Sequence, residues 1–140
     1  MDDLANKALL TELLALESRA MDQWGAGDPA GFLELSDDDV SYFDPWQQHR
    51  LNSHEELTEL YEGLRGQVHL DSFEFRNPAV VAVSDLAVLS FVFTSTSAGT
   101  TQSWNATEVF RRNDEGQWHL VHTHWSITEA GQKLDKLASS

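Results

Sequence analysis

The sequence predicts an α+β fold, with N-terminal helices packed over a curved, mostly antiparallel sheet. Three observations lead there. Apolar residues recur at three- and four-residue steps through most of the first 64 positions. From Gln67 the period changes to two, in long runs separated by turn residues. The length of 140 residues, with 41% apolar and 23% charged content, suits one domain with its own core. Such a chain removes roughly 68% of its unfolded surface from water and needs no disulfide or metal staple. Residues 1–128 are expected to form the domain and 129–140 a polar tail.

Residues 4–24 read as a first helix, with Leu10, Leu13, Leu14, Met21 and Trp24 on its apolar side. Gly25-Ala26-Gly27 ends it. Asp28 is placed to cap a short second helix that has Pro29 at its first position and runs through Phe32, Leu33 and Leu35. Asp37-Asp38-Asp39 reads as a solvated turn, and 40–44 as a strand stopped by Pro45. Ser53-His54-Glu55-Glu56 is a capping box that opens a third helix, with Leu57, Leu60, Tyr61 and Leu64 on one face and Gly66 after its end.

Four strands are expected at 67–82, 85–97, 101–112 and 117–127. The run Leu86-Ala87-Val88-Leu89-Ser90-Phe91-Val92-Phe93 is apolar on both faces, so both should be covered, the outer one by a second copy of the chain. Reading Asn113-Asp114-Glu115-Gly116 as a four-residue turn sets Arg112 opposite Gln117, Glu108 opposite Val121 and Trp104 opposite Trp125. One face then carries Trp104, Ala106, Glu108, Phe110, Val121, Thr123 and Trp125. Trp118, Leu120, His122 and His124 fall on the other, where Trp118 and Leu120 would add to an apolar dimer surface.

Charge narrows the partners. Nine basic residues against 23 acidic ones leave a net charge of -14, which repels nucleic acid and anionic lipid. The acidic start and the absence of a long apolar run make a soluble, cytoplasmic protein the expectation. There is no cysteine, so thiol chemistry and cysteine metal sites are excluded. His122 and His124 lie two apart on a strand, as a two-histidine metal arm would, but the spacing supplies no third ligand. No metal and no cofactor are expected.

Two segments carry a family resemblance. Gly25-Ala26-Gly27-Asp28 leads to Tyr42-Phe43-Asp44-Pro45, and Thr107-Glu108-Val109-Phe110-Arg111-Arg112 leads to the stretch from Trp118 to Ser126. With the order of elements over 5–127, they resemble the nuclear transport factor 2-like superfamily. That superfamily includes ketosteroid isomerase, SnoaL-like cyclases and the association domain of calcium/calmodulin-dependent protein kinase II. The resemblance implies a cone-shaped, cystatin-like fold with a pocket between sheet and helices, and frequent dimers. It does not imply one function. By similarity to ketosteroid isomerase, Asp44 takes the place of the general base, Glu108 that of the protonated oxyanion-hole acid, and Tyr61 that of a network tyrosine. The essential first-helix tyrosine has no counterpart; Ala20 stands there.

The residues themselves leave alternatives. Asp44 suits a pocket base or a strand end; Glu108 suits a desolvated acid or an ion pair with Arg50 or Arg76. Trp24, Tyr42, Trp104, Phe110 and Trp125 are candidates to line a pocket for a small apolar or aromatic molecule. The chain therefore reads as an isomerase, cyclase or dehydratase acting on an apolar carbonyl compound, or as a non-catalytic ligand-binding or assembly module.

Overall fold

The computed structural model describes residues 3–128. Helix α1 spans Asp3–Gly25, α2 Ala30–Leu35 and α3 His54–Gly63. The strands are β1 Ser36–Phe43, β2 Ser72–Val83, β3 Leu86–Ser97, β4 Thr100–Arg112 and β5 Trp118–Ile127. They form one sheet in the order β1-β5-β4-β3-β2, antiparallel except for the parallel pairing of β1 with β5. The α+β class and the mostly antiparallel sheet are as the sequence predicts; the 129–140 tail lies outside the described residues. No helix among the described residues is long and apolar enough to cross a membrane.

Ser53 caps α3 as expected, whereas α2 starts one residue later than expected, with Pro29 at the cap position and Asp28 just before it. Asp28 Oδ1 accepts from the Ala30 N–H at 2.9 Å, and Ser53 Oγ accepts from the Glu56 N–H at 3.1 Å. Glu56 reaches back one residue further than a capping box requires and accepts from the Asn52 N–H. Between α1 and α2 the backbone turns at Gly27, whose φ is +91°, and the Gly27 carbonyl accepts from the Gly66 N–H at 2.8 Å. That bond ties the loop after α3 to the loop after α1.

Two readings of the sequence need correction. Asp37-Asp38-Asp39 is part of β1, which starts directly after α2. Arg111 forks onto Asp37 and Asp39, so a charge run that suggests a solvated turn is an ion-paired strand segment. The first long strand, expected from 67, begins at Ser72.

The β4–β5 hairpin also differs. Its loop holds five residues, Asn113 to Gln117, because Asn113 Oδ1 accepts from both the Glu115 and Gln117 N–H groups. Arg112 therefore faces Trp118, and Phe110 faces Leu120. A bulge at Val121 then shifts the pairing again, so that Val109 faces His122 and Glu108 faces Thr123. Trp104, Ala106, Glu108, Thr123 and Trp125 keep their common inner face. Trp118 and Leu120 turn inward with them and are buried, so neither belongs to an outer apolar surface.

The core lies between the sheet's inner face and the helices. Leu9, Leu13 and Met21 of α1 and Leu57 of α3 meet Ala87, Leu89, Phe91, Phe93, Phe110 and Leu120. The outer face of β2 and β3 stays open, with Val81, Val83, Leu86 and Val88 exposed.

Gly27 offers a test of the loop junction. A Cβ there would stand 3.1 Å from Gly66 Cα, in a backbone conformation that side chains rarely adopt. Gly99 shares the conformation (φ +82°) but has open space around it. In urea denaturation Gly27→Ala should cost about 2–3 kcal/mol and Gly99→Ala only about 1. Equal losses would show that the loop contact is slack.

Candidate functional site

A cavity of about 490 Å³ lies between the concave face of the sheet and the helices. Trp104, Trp125, Glu108 and Thr123 come from β4 and β5, Tyr42 from β1, Trp24 from α1 and Tyr61 from α3. Asp44 and Trp46, in the loop after β1, stand at its mouth, and Trp46 is 67% exposed. The sequence-predicted residues Asp44, Glu108, Tyr61, Trp24, Tyr42, Trp104 and Trp125 all line this one space. Phe110 does not; its side chain is wholly buried in the core.

The tryptophans wall the cavity without filling it. Trp46 packs edge-on against Trp104 with centroids 5.4 Å apart, and Trp104 against Trp125 at 6.4 Å. Trp24 leans on Tyr61 at 4.8 Å, and Tyr61 meets Tyr42 at 5.7 Å. Edge-to-face packing of this kind fixes ring orientation and leaves flat apolar surface toward the cavity.

Asp44 is a hydrogen-bond hub. Its Oδ1 accepts from the Trp46 and Gln47 N–H groups at 2.8 and 3.0 Å, which shapes the loop at the mouth. Its Oδ2 accepts from the Tyr42 O–H at 2.8 Å. The Tyr61 ring packs edge-on against Tyr42, which places Tyr61 behind the Tyr42–Asp44 hydrogen bond. Burial raises the pKa of both tyrosines well above the ordinary phenol value, so they stay neutral donors.

Glu108 takes neither arginine that the sequence offers it. It is 1% exposed, and its neighbour is another carboxyl, Glu17 of α1, which is 0% exposed. Burial pushes Glu17 up to about 7 and moves Glu108 well up in the same direction, with the carboxyl beside it adding to the shift. Counted as anions, Glu17 Oε1 and Oε2 and Glu108 Oε1 have no donor; a proton held between the two groups supplies the missing bond.

Sequence reasoning missed Glu17, although a signal exists. Leu9, Leu13, Glu17 and Met21 are four apart and form the buried stripe of α1, so position 17 is an inward position filled by a carboxylate. Trp46 was missed because it sits in an irregular loop. His122 lies on the outer face, its Nδ1 2.7 Å from Ser41 Oγ and its ring against Phe43.

Residues 18–128 match the family model described as SnoaL-like domain. No curated protein matches the chain significantly. Among solved structures, a Parabacteroides distasonis protein provisionally assigned as a ketosteroid isomerase is 37% identical, with a TM-score of 0.77 over 84% of this chain and 86% of that one. An NTF2-like protein of unknown function from Pseudomonas putida is 27% identical, with a TM-score of 0.74 over 86% of this chain and 87% of that one. The association domain of the C. elegans kinase CaMKII shares the fold at 20% identity, with a TM-score of 0.71 over 87% of this chain and 98% of that one.

The buried pair has a measurable signature. Both carboxyls hold protons more tightly folded than unfolded, so stability falls as pH rises from about 4.5 through about 7. Moving one carboxyl between those values corresponds to roughly 3 kcal/mol. Glu17→Gln removes that penalty, so its stability relative to wild type should improve by up to about this amount between pH 5 and pH 8 in denaturant melts. A difference that does not change with pH would mean that Glu17 is not held protonated.

Proposed function

The chain belongs to the SnoaL-like domain family, and from that premise we propose that its cavity is an acid–base site for an apolar carbonyl compound, of the isomerase, cyclase or dehydratase kind. The observation that carries the proposal is that two carboxyl groups in opposite surroundings line one cavity. Glu108 is dry and held protonated, as a donor to a developing oxyanion must be. Asp44 is at the mouth, and its oxygens act only as acceptors. As the base it removes a proton from the carbon beside the carbonyl with the lone pair left on Oδ2. The wall of aromatic rings binds the apolar remainder of the substrate and keeps water away.

The first-helix position where ketosteroid isomerase carries its tyrosine is occupied by the buried Ala20. No hydroxyl reaches the acid from there, so the oxyanion support differs from that relative's. Tyr42, donating to Asp44 and packed edge-on against Tyr61, orients the base side of the site.

A panel of unconjugated cyclic enones, followed by the absorbance of the conjugated product, tests the proposal. Asp44→Asn should lower turnover about a hundredfold or more while still binding, and Glu108→Gln, which keeps an N–H donor, should lose less. Unchanged turnover in Asp44→Asn, or none in wild type across the panel, sinks the catalytic reading. The non-catalytic module then stands, favoured by the three hydrogen bonds that already engage Asp44 in its loop.

We also propose a homodimer through the outer face of the sheet. Val81 and Val83 are 69% and 74% exposed, and they pair across β2–β3 with the exposed Val88 and Leu86. A contiguous apolar patch of this kind is costly to leave in water. Sedimentation at micromolar concentration should give a dimer, and Val88→Glu should shift it to monomer; a monomeric wild type rejects the interface.

A further inference from the structure

The acid proposed for this site does not act alone. Glu17 reaches Glu108 from α1, and three of the pair's oxygens lack a donor when both groups are counted as anions. Among the described residues that line the cavity there is no Lys, Arg or His. Tyr61 of α3 faces the pair, with Tyr42 of β1 and Asp44 of the following loop beyond it; all are acids, and none brings a positive charge. Thr123, the cross-strand partner of Glu108, also buries a hydroxyl without a partner. Glu108 and Thr123 line the mostly apolar cavity with Glu17 behind them, and unpartnered polar atoms gathered beside a cavity point to the place where a ligand's polar group is met.

We infer that Glu17 is a positioning residue for Glu108: the two share protons as one acid, and the number they hold sets whether the cavity offers its ligand a donor or an acceptor. The inference rests on the reading of Glu108 as the group that meets the ligand. With two protons, Glu17 donates to Glu108 and leaves the Glu108 O–H for the ligand. That form takes an uncharged oxygen acceptor such as a ketone. With one proton, the carboxyls bond to each other, the pair is negative, and no O–H remains to donate. That form favours a protonated amine, with the tryptophan faces adding cation–π attraction. A carboxylate ligand finds no cation in either form. Because burial pushes Glu17 up to about 7, the exchange falls near neutral pH.

Three probes on one carbon frame separate these cases: tetralone, the matching tetralin amine and the matching tetralin carboxylate. Binding is read from the fluorescence of the tryptophans that line the cavity. Tetralone affinity should fall about tenfold from pH 6 to pH 8, the amine should move the opposite way, and the carboxylate should not bind. Glu17→Gln keeps a neutral partner at every pH, so tetralone should bind it equally at both, within about twofold of wild type at pH 6. Carbon-13 titration of the glutamate carboxyls reads the pair without any ligand. Wild type should show two steps above the ordinary glutamate range, and Glu17→Gln should leave one, lower than the upper wild-type step because the like charge is gone. An upper step that Glu17→Gln does not move overturns the shared proton, whatever binds. Coupled steps with no pH trend in binding overturn the role in ligand choice. Coupled steps with no probe bound at all defeat instead the cavity reading beneath it.

Discussion

Two carboxyl groups placed side by side where water does not reach form the interaction on which the rest of this structure turns. Glu17 and Glu108 join the first helix to the middle of the sheet, and each is almost wholly inaccessible. Two adjacent buried anions are not tolerable, so the pair must hold at least one proton. Three of the arginines pair with other carboxylates. Arg111 holds Asp37 and Asp39, Arg112 holds Asp85, and Arg65 holds Asp28 and Glu62, all at the surface. The ion pairs of these arginines reach none of the buried acids of a chain with net charge -14.

That constraint shapes what surrounds it. Glu108 points inward with its β3 partner Leu89, and the bulge at Val121 corrects the register of β5 so that Thr123 comes opposite it. Without the bulge, the inward row of β5 that starts at Trp118 and Leu120 would continue with His122 and His124, and a pair of imidazoles would face the acid. The bulge therefore decides the electrostatics of the cavity: one residue of slip keeps the histidines outside and the threonine inside. On the other side, the Tyr42 hydroxyl and the Trp46 and Gln47 N–H groups fix the second carboxyl by hydrogen bonds that need no cation.

The fold was legible because it rests on periodicity. The capped third helix, the period-two strands and the class all follow from spacing that survives in the structure. What escaped was local chemistry that overrides pattern. The side chain of Asn113 accepts two backbone N–H groups and lengthens the hairpin loop by one residue, and nothing in the apolar spacing announces this. The three aspartates after Ser36 look solvated until Arg111, more than 70 positions away, is brought beside them. Of the site, the residues quoted for their family place or aromatic character were legible, and the carboxyl that partners Glu108 was not. Glu17 reads as one more charge on an acidic helix unless its position in the Leu9–Leu13–Met21 row is given more weight than its polarity.

An inward glutamate in an otherwise apolar row is also a reason to favour chemistry over scaffolding. A hub that used this fold only to assemble would be more stable with a leucine or methionine at position 17, because replacing buried charge by packed apolar volume is commonly neutral or stabilising. It would also gain from larger side chains in a cavity of about 490 Å³, since empty apolar space forfeits packing energy. The chain does neither. It holds the cavity open with rings packed edge to face and keeps one acid at its wall with a second buried behind it, at a cost in stability that increases as pH rises. Departures from good packing and good solvation that coincide in one place are expected where a ligand is handled. The open outer face of the sheet calls for no such explanation, because a second copy can cover it without touching the cavity. The assembly and the chemistry proposed above therefore call on opposite faces of the same sheet, and the acid pair belongs to the face that the proposed dimer leaves free.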